Sequence, residues 1–111
     1  MKLSDIQNAL ELTQIVEGDD TDITGAYVAD LLSDVVGNAG EGNILVTIQV
    51  HKNLVAVASL VGIGAAIITH GRVPDDEVCD AARENGVALL SSKESSFTVA
   101  GRLYELGLRS S

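Results

Sequence analysis

The side chains with which this chain could do chemistry are few: His51, His70, Cys79, the serines from Ser91 to Ser96, and seven basic residues set against sixteen acidic ones. His51, His70 and Cys79 are its only soft metal ligands, and none falls in a CxxC, HxxxH or HExxH spacing, so no metal centre is expected. Cys79 sits beside Val78 and Ala82 on a helical stretch and reads as a packed thiol. Ser91, Ser92, Ser95 and Ser96 lack both a GxSxG elbow and a neighbouring base. Ser95 instead reads as the cap of a following helix, where its hydroxyl would satisfy an open backbone N–H. There is no GxxxxGKS or GxxxxGKT phosphate loop. Gly62-Ile63-Gly64 has the look of half a dinucleotide fingerprint, but it follows a helix and precedes a strand, the reverse of what phosphate binding requires. A tight turn between helix and strand is the expectation. No catalytic residue, metal or cofactor is therefore assigned, and a binding function is expected in place of an enzyme.

One constellation remains. Thr47, Gln49, His51, Lys52 and Asn53 follow one apolar run, and Thr69, His70, Gly71 and Arg72 follow the next. Ser91, Ser92, Lys93 and Ser95 follow a third. If the three runs are parallel strands, these residues share their carboxyl edge, where open α/β sheets bind ligands. Lys52, Arg72 and Lys93 would gather there beside helix N-termini, which suits a small anion, a phosphate or a nucleotide.

The elements that would position them can be read from periodicity. Ser4 and Gln7 match a capping box before a short amphipathic helix with Ile6, Ala9, Leu10 and Leu12. Thr13 to Val16 is a brief strand closed by Gly18-Asp19-Asp20, and Ile23 to Val28 is a strand running into a helix near Asp30 that stops at Gly37-Asn38 or Gly40. Strands are expected at Asn43–Val50, Ala65–Thr69 and Val87–Leu90. Helices are expected at Leu54–Val61, from Pro74 to Asn85, and from Ser95 to Leu106. Asp75, Asp76 and Glu77 suit the positive end of the second helix, with Pro74 at its first position. This alternation with short connections implies an α/β fold: a mostly parallel sheet joined by right-handed crossovers, with helices on both faces.

Length and composition agree. The chain has 111 residues, the size of one domain, so residues 1–111 are expected to form a single unit. Apolar residues make up 46% of it, enough to exclude a disordered chain despite a net charge of -9. That charge and the scattered basic residues argue against nucleic acid. A lone cysteine, no signal-peptide pattern and no uninterrupted span of about 20 apolar residues point to the cytoplasm and away from membranes. The helix LVAVASLV is apolar nearly all round, so it is either buried centrally or covered by another chain. A homodimer contact is expected there, or on the last helix, where Phe97, Ala100, Gly101 and Tyr104 share a face.

The run Ile23-Thr24-Gly25-Ala26-Tyr27-Val28 continuing to Ser33-Asp34-Val35, then VTIQVHKNLVAVA, IITHGRVPD and SSFTVAGRLYELG, resembles the DRTGG domain family from about Thr21 to Gly107. Of the namesake motif, Asp22, Thr24 and Gly25 are kept, while Ile23 replaces the arginine and Ala26 the second glycine. A role tied to that arginine is not carried over. The resemblance implies a fold like the N-terminal domains of HPr kinase/phosphorylase and of a Mur ligase, and a regulatory or ligand-binding role. Members of the family occur beside CBS and catalytic domains and as stand-alone proteins, some encoded near hydrogenase genes. Two functions are therefore expected: a regulatory module sensing a small anionic metabolite or nucleotide, or an interaction subunit docking onto an enzyme complex such as a hydrogenase.

Overall fold

Every residue of Asn43–Thr47 and of Ala65–Ile68 is buried. Two mostly aliphatic runs with no polar alternation, buried along their whole length, are central strands covered on both faces. The computed structural model describes residues 1–110 and places them so. In chain order the elements are α1 (Leu3–Ala9), β1 (Thr13–Val16), β2 (Gly25–Val28), α2 (Leu32–Asn38), β3 (Asn43–Thr47), α3 (Asn53–Val61), β4 (Ala65–Ile68), α4 (Asp76–Asn85), β5 (Leu89–Ser91) and α5 (Ser96–Glu105). The sheet order is β1-β5-β4-β3-β2, with β2 to β5 parallel and β1 antiparallel to β5. The α/β reading with a mostly parallel sheet holds.

From β2 to β5 each strand lies beside its predecessor, so the chain winds in one direction only. Crossovers of one hand then put α2, α3 and α4 on the same face. There Val35, Leu54, Val55, Ala58, Val78 and Ala82 join Leu45, Ala66, Ile68 and Leu89 in one buried cluster. The opposite face is covered by α1 and α5, whose Leu3, Ile6, Val99 and Leu103 meet Ile44, Val46, Ile67 and Leu90.

The boundaries differ from expectation for local reasons. Strand β3 stops at Thr47 because the Asp30 carboxylate accepts from the Ile48 N–H at 2.9 Å and the Thr47 hydroxyl accepts from the Gln49 N–H at 3.1 Å. The same commitment of Asp30 delays α2 to Leu32. The Val87 N–H bonds back to the Ala82 carbonyl, so β5 begins two residues late. Pro74 precedes its helix instead of opening it. Asp75 is the N-cap, accepting from the Val78 N–H at 3.0 Å. The Ser4–Gln7 capping box does not form. Asp20, from the far end of the following loop, accepts the Ser4 N–H and hydroxyl, each at 2.9 Å. Helix α3 is not a deep central helix: Leu54, Val55 and Ala58 are buried, while Leu60 is 74% exposed. It ends at Gly62, whose φ of 83° needs a residue without a Cβ, confirming Gly62-Ile63-Gly64 as a turn.

Candidate functional site

The carboxyl edge of the parallel strands gathers the three expected loops, but their polar groups are largely spent on one another. After β4 the chain leaves toward α4 on one face, and after β5 it leaves toward α5 on the other. This divergence is where an open sheet offers a crevice. Here the crevice is closed by its own backbone. The His70 N–H donates to the Glu94 carbonyl at 2.8 Å, Gly71 N–H to Ser92 at 2.9 Å, and Ser92 N–H to Ile68 at 2.9 Å. Beneath them the fully buried Thr69 hydroxyl lies 2.7 Å from the Ser96 hydroxyl. His70 and Gly71 both have left-handed backbones, with φ of 60° and 68°. Histidine tolerates that conformation better than most residues, and Nε2 of His70 accepts from the Ser96 N–H at 3.3 Å.

The helix N-termini are likewise engaged. Nδ1 of His51 accepts from the Asn53 N–H at 3.1 Å, and the Ser95 hydroxyl accepts from Thr98 as the expected cap of α5. The hydroxyls of Ser92 and Ser96 are structural: Ser92 accepts from the Glu94 N–H, and Ser96 holds Thr69. Burial pushes the Cys79 thiol above its ordinary pKa, which keeps it protonated and a poor nucleophile. Among the described residues, no three His, Cys, Asp or Glu side chains come together to hold a metal ion.

What remains open divides into two hollows. The first, about 630 Å³, gathers Gln49, His51, Lys52 and Arg72 with Val50, Val78, Asp75 and Glu77. The second, about 420 Å³, gathers Gly71, Ser91, Ser92 and Lys93 with Leu10, Glu11, Glu94 and Arg102. The expected site residues are therefore not brought to one place. Thr47 and Thr69 are buried in the sheet, and Asn53 and Ser95 start helices. Lys52 pairs with Glu77 at 3.0 Å, and Arg102 pairs with Glu94 and reaches the Ala9 carbonyl. The side chains of Arg72 and Lys93 make no hydrogen bond or ion pair among the described residues. Asp30, expected only near the start of a helix, organises the rim of the first hollow through Thr47, Ile48 and the Gln49 side chain. Nothing in its local spacing signals that it would reach 17 residues along the chain.

The namesake motif lies at the opposite, amino edge. Asp22 and Thr24 line a hollow of about 520 Å³ with Asp19, Glu41 and the Gly62–Gly64 turn. Thr24 is a staple: its hydroxyl donates to the Glu41 carbonyl at 2.9 Å and accepts from the Asn43 amide at 3.2 Å. Gly25 is buried and pairs with Asn43 across the sheet. Ile23, which stands at the arginine position, is 4% exposed and packs into the core, so this site points inward and apolar here.

Comparison with known proteins supports this architecture. No protein of curated function matches the chain. Among solved structures, the CBS and DRTGG domains of the regulatory region of Clostridium perfringens pyrophosphatase, complexed with the activator diadenosine tetraphosphate, superpose with a TM-score of 0.77. The two share 20% identity over 96% of this chain, which spans about half (47%) of that one, so this likeness shows the fold. The DRTGG domain family matches residues 5–106, nearly the whole sequence. On that match, and on the fold it shares, this chain belongs to the DRTGG domain family.

Proposed function

We propose that the chain is a non-catalytic regulatory module that binds a small phosphate-bearing metabolite or nucleotide in the hollow lined by Gln49, His51, Lys52 and Arg72. The observation that carries this reading is Arg72: an exposed guanidinium that makes no ion pair or side-chain hydrogen bond among the described residues, in a protein of net charge -9. An unpaired fork of donors is well matched to phosphate oxygens. Family membership supports a regulatory role, and the pyrophosphatase region of CBS and DRTGG domains, part of which shares this fold, is one complexed with a nucleotide activator. Of the two hollows this one is larger, and it gathers Lys52 and Arg72 with the imidazole of His51, Lys52 being paired to Glu77 and Arg72 unpaired among the described residues. Val50 and Val78 supply an apolar wall and no Phe, Tyr or Trp lines it, which favours recognition of phosphate and sugar over stacking on a base. The helix dipoles contribute little, because their first amides are already capped by His51, Asp75 and Ser95. No helix is long and apolar enough to cross a membrane among the described residues, and a cytoplasmic site of action fits the lone buried cysteine.

Thermal unfolding in the presence of inorganic phosphate, AMP, ATP and a sugar phosphate tests this. At least one should raise Tm in a concentration-dependent way, since a ligand at 100 times its Kd adds about 2.7 kcal/mol. Arg72→Glu should abolish the shift and Lys93→Glu should leave it. A flat response to the whole panel, or a shift that survives Arg72→Glu, contradicts the reading.

A second reading, docking onto an enzyme, is favoured by the exposure of Leu60 on α3 and of Leu31 and Val36 at α2. A stable complex abolished by Leu60→Glu would carry it.

A further inference from the structure

Phe97, the single phenylalanine of the chain, stands 89% exposed in the first turn of α5. Two turns on, Tyr104 is 61% exposed. Between them on the same helical face lie Ala100 and Gly101, and a Cβ placed on Gly101 would meet nothing within 4 Å. The order large, small, small, large reads alike from either end. Beside Ala100 and Tyr104 opens an unfilled hollow of about 280 Å³, lined also by Val28, Leu103 and Leu108. Strand β2 is the adjacent sheet edge, but the Ala26 N–H already donates to the Arg109 carbonyl at 2.9 Å. The carboxyl-terminal segment thus blocks simple extension of the sheet by another strand. The helix face is what stays open.

We propose that a second copy of this chain docks antiparallel on α5, about a two-fold axis passing between Ala100 and Gly101. Such an axis sets Phe97 of each copy against the partner's Tyr104 and into the hollow beside it. A two-fold contact must be self-complementary, and this face is. Aromatic anchors entering pockets are the groups that dominate interface energies. Each aromatic buries about 150–250 Å², so the four rings supply on the order of half the ~1,200 Å² at which stable interfaces begin. Val28, Ala100, Gly101 and Arg109, each counted twice, lie around them to supply the rest. Charge points the same way. Two copies of a chain of net charge -9 repel over most of their surface, whereas here they meet over aromatic and small residues. Arg109 is stacked 3.6 Å from the Tyr104 ring centroid, so this face carries a cation in an otherwise acidic chain.

Size-exclusion chromatography with light scattering, on the full chain from about 10 to 200 μM, a range chosen to bracket micromolar affinities, tests the contact. The wild type should run at twice the chain mass. Phe97→Glu and, independently, Gly101→Glu should shift it to the monomer with far-UV circular dichroism unchanged. Both positions are exposed, and replacing a helical glycine does not weaken the helix. Leu60→Glu, on the other face of the sheet, should remain dimeric. A wild type that is monomeric throughout, or a dimer untouched by both α5 variants, overturns the proposal. Neither result bears on phosphate binding at Arg72.

Discussion

Asp20 accepts the backbone N–H of Ser4 and then its hydroxyl, and these bonds hold its carboxyl below the usual carboxylate range. A carboxyl depressed on folding contributes stability that is fully present above its unfolded pKa of about 3.9. That contribution is lost as pH falls through the lower folded value. Asp20→Ala should therefore lower Tm at pH 7, and the gap from wild type should close as both are titrated toward pH 2. A gap independent of pH would show that the carboxylate is not what holds the start of α1. The same residue explains a misreading. Ser4 and Gln7 have capping-box spacing, but that pattern sees only local partners, and the carboxylate that serves this helix arrives from 16 residues away. Asp30 is a second instance, reaching β3 from before α2. Ser95, whose cap partner Thr98 is three residues on, was legible for the opposite reason.

Helices α4 and α5 both begin at the carboxyl edge, and each is started by a side-chain cap, Asp75 or Ser95. Replacing either by alanine should cost about 1 kcal/mol, read as a lower urea midpoint with unchanged slope. A loss well under ~0.3 kcal/mol, the level at which substitution even by glycine is felt, would mean that other contacts define these helix starts. The central strands were legible as elements because Ile44–Val46 and Ala65–Ile68 are uninterrupted apolar runs, the pattern of strands covered on both faces. Their ends were not, because they are set by hydrogen bonds from side chains such as Asp30 and Thr47 rather than by periodicity. The apolar helix α3 illustrates the limit of composition. Leu60 adds to its hydrophobicity yet faces solvent, and only the placement of α2 and α4 on the same face decides which side is covered.

Across the whole molecule, the parallel direction of β2 to β5 gives the sheet an amino edge and a carboxyl edge with different residues. The amino edge carries the family motif, where Thr24 and Asn43 tie neighbouring loops together. The carboxyl edge carries the open cations. That edge was legible from alternation alone, because parallel strands must present their following loops together. Its division into two hollows was not, since it depends on the loops after β4 and β5 bonding to each other at His70, Gly71 and Ser92. What sequence reading treats as one anion site is thus split, with Arg72 lining one hollow and Lys93 the other across the closed crevice. The most direct measurement is a titration of the isotopically labelled chain, followed by amide NMR, with the phosphate compound that gives the largest thermal shift. Binding at the proposed hollow predicts saturable shifts at Gln49–Asn53, His70–Arg72 and Asp75–Val78, with little change elsewhere. Shifts confined to Asp22–Thr24 and Glu41–Gly42 at the amino edge, or none that saturate, would contradict it.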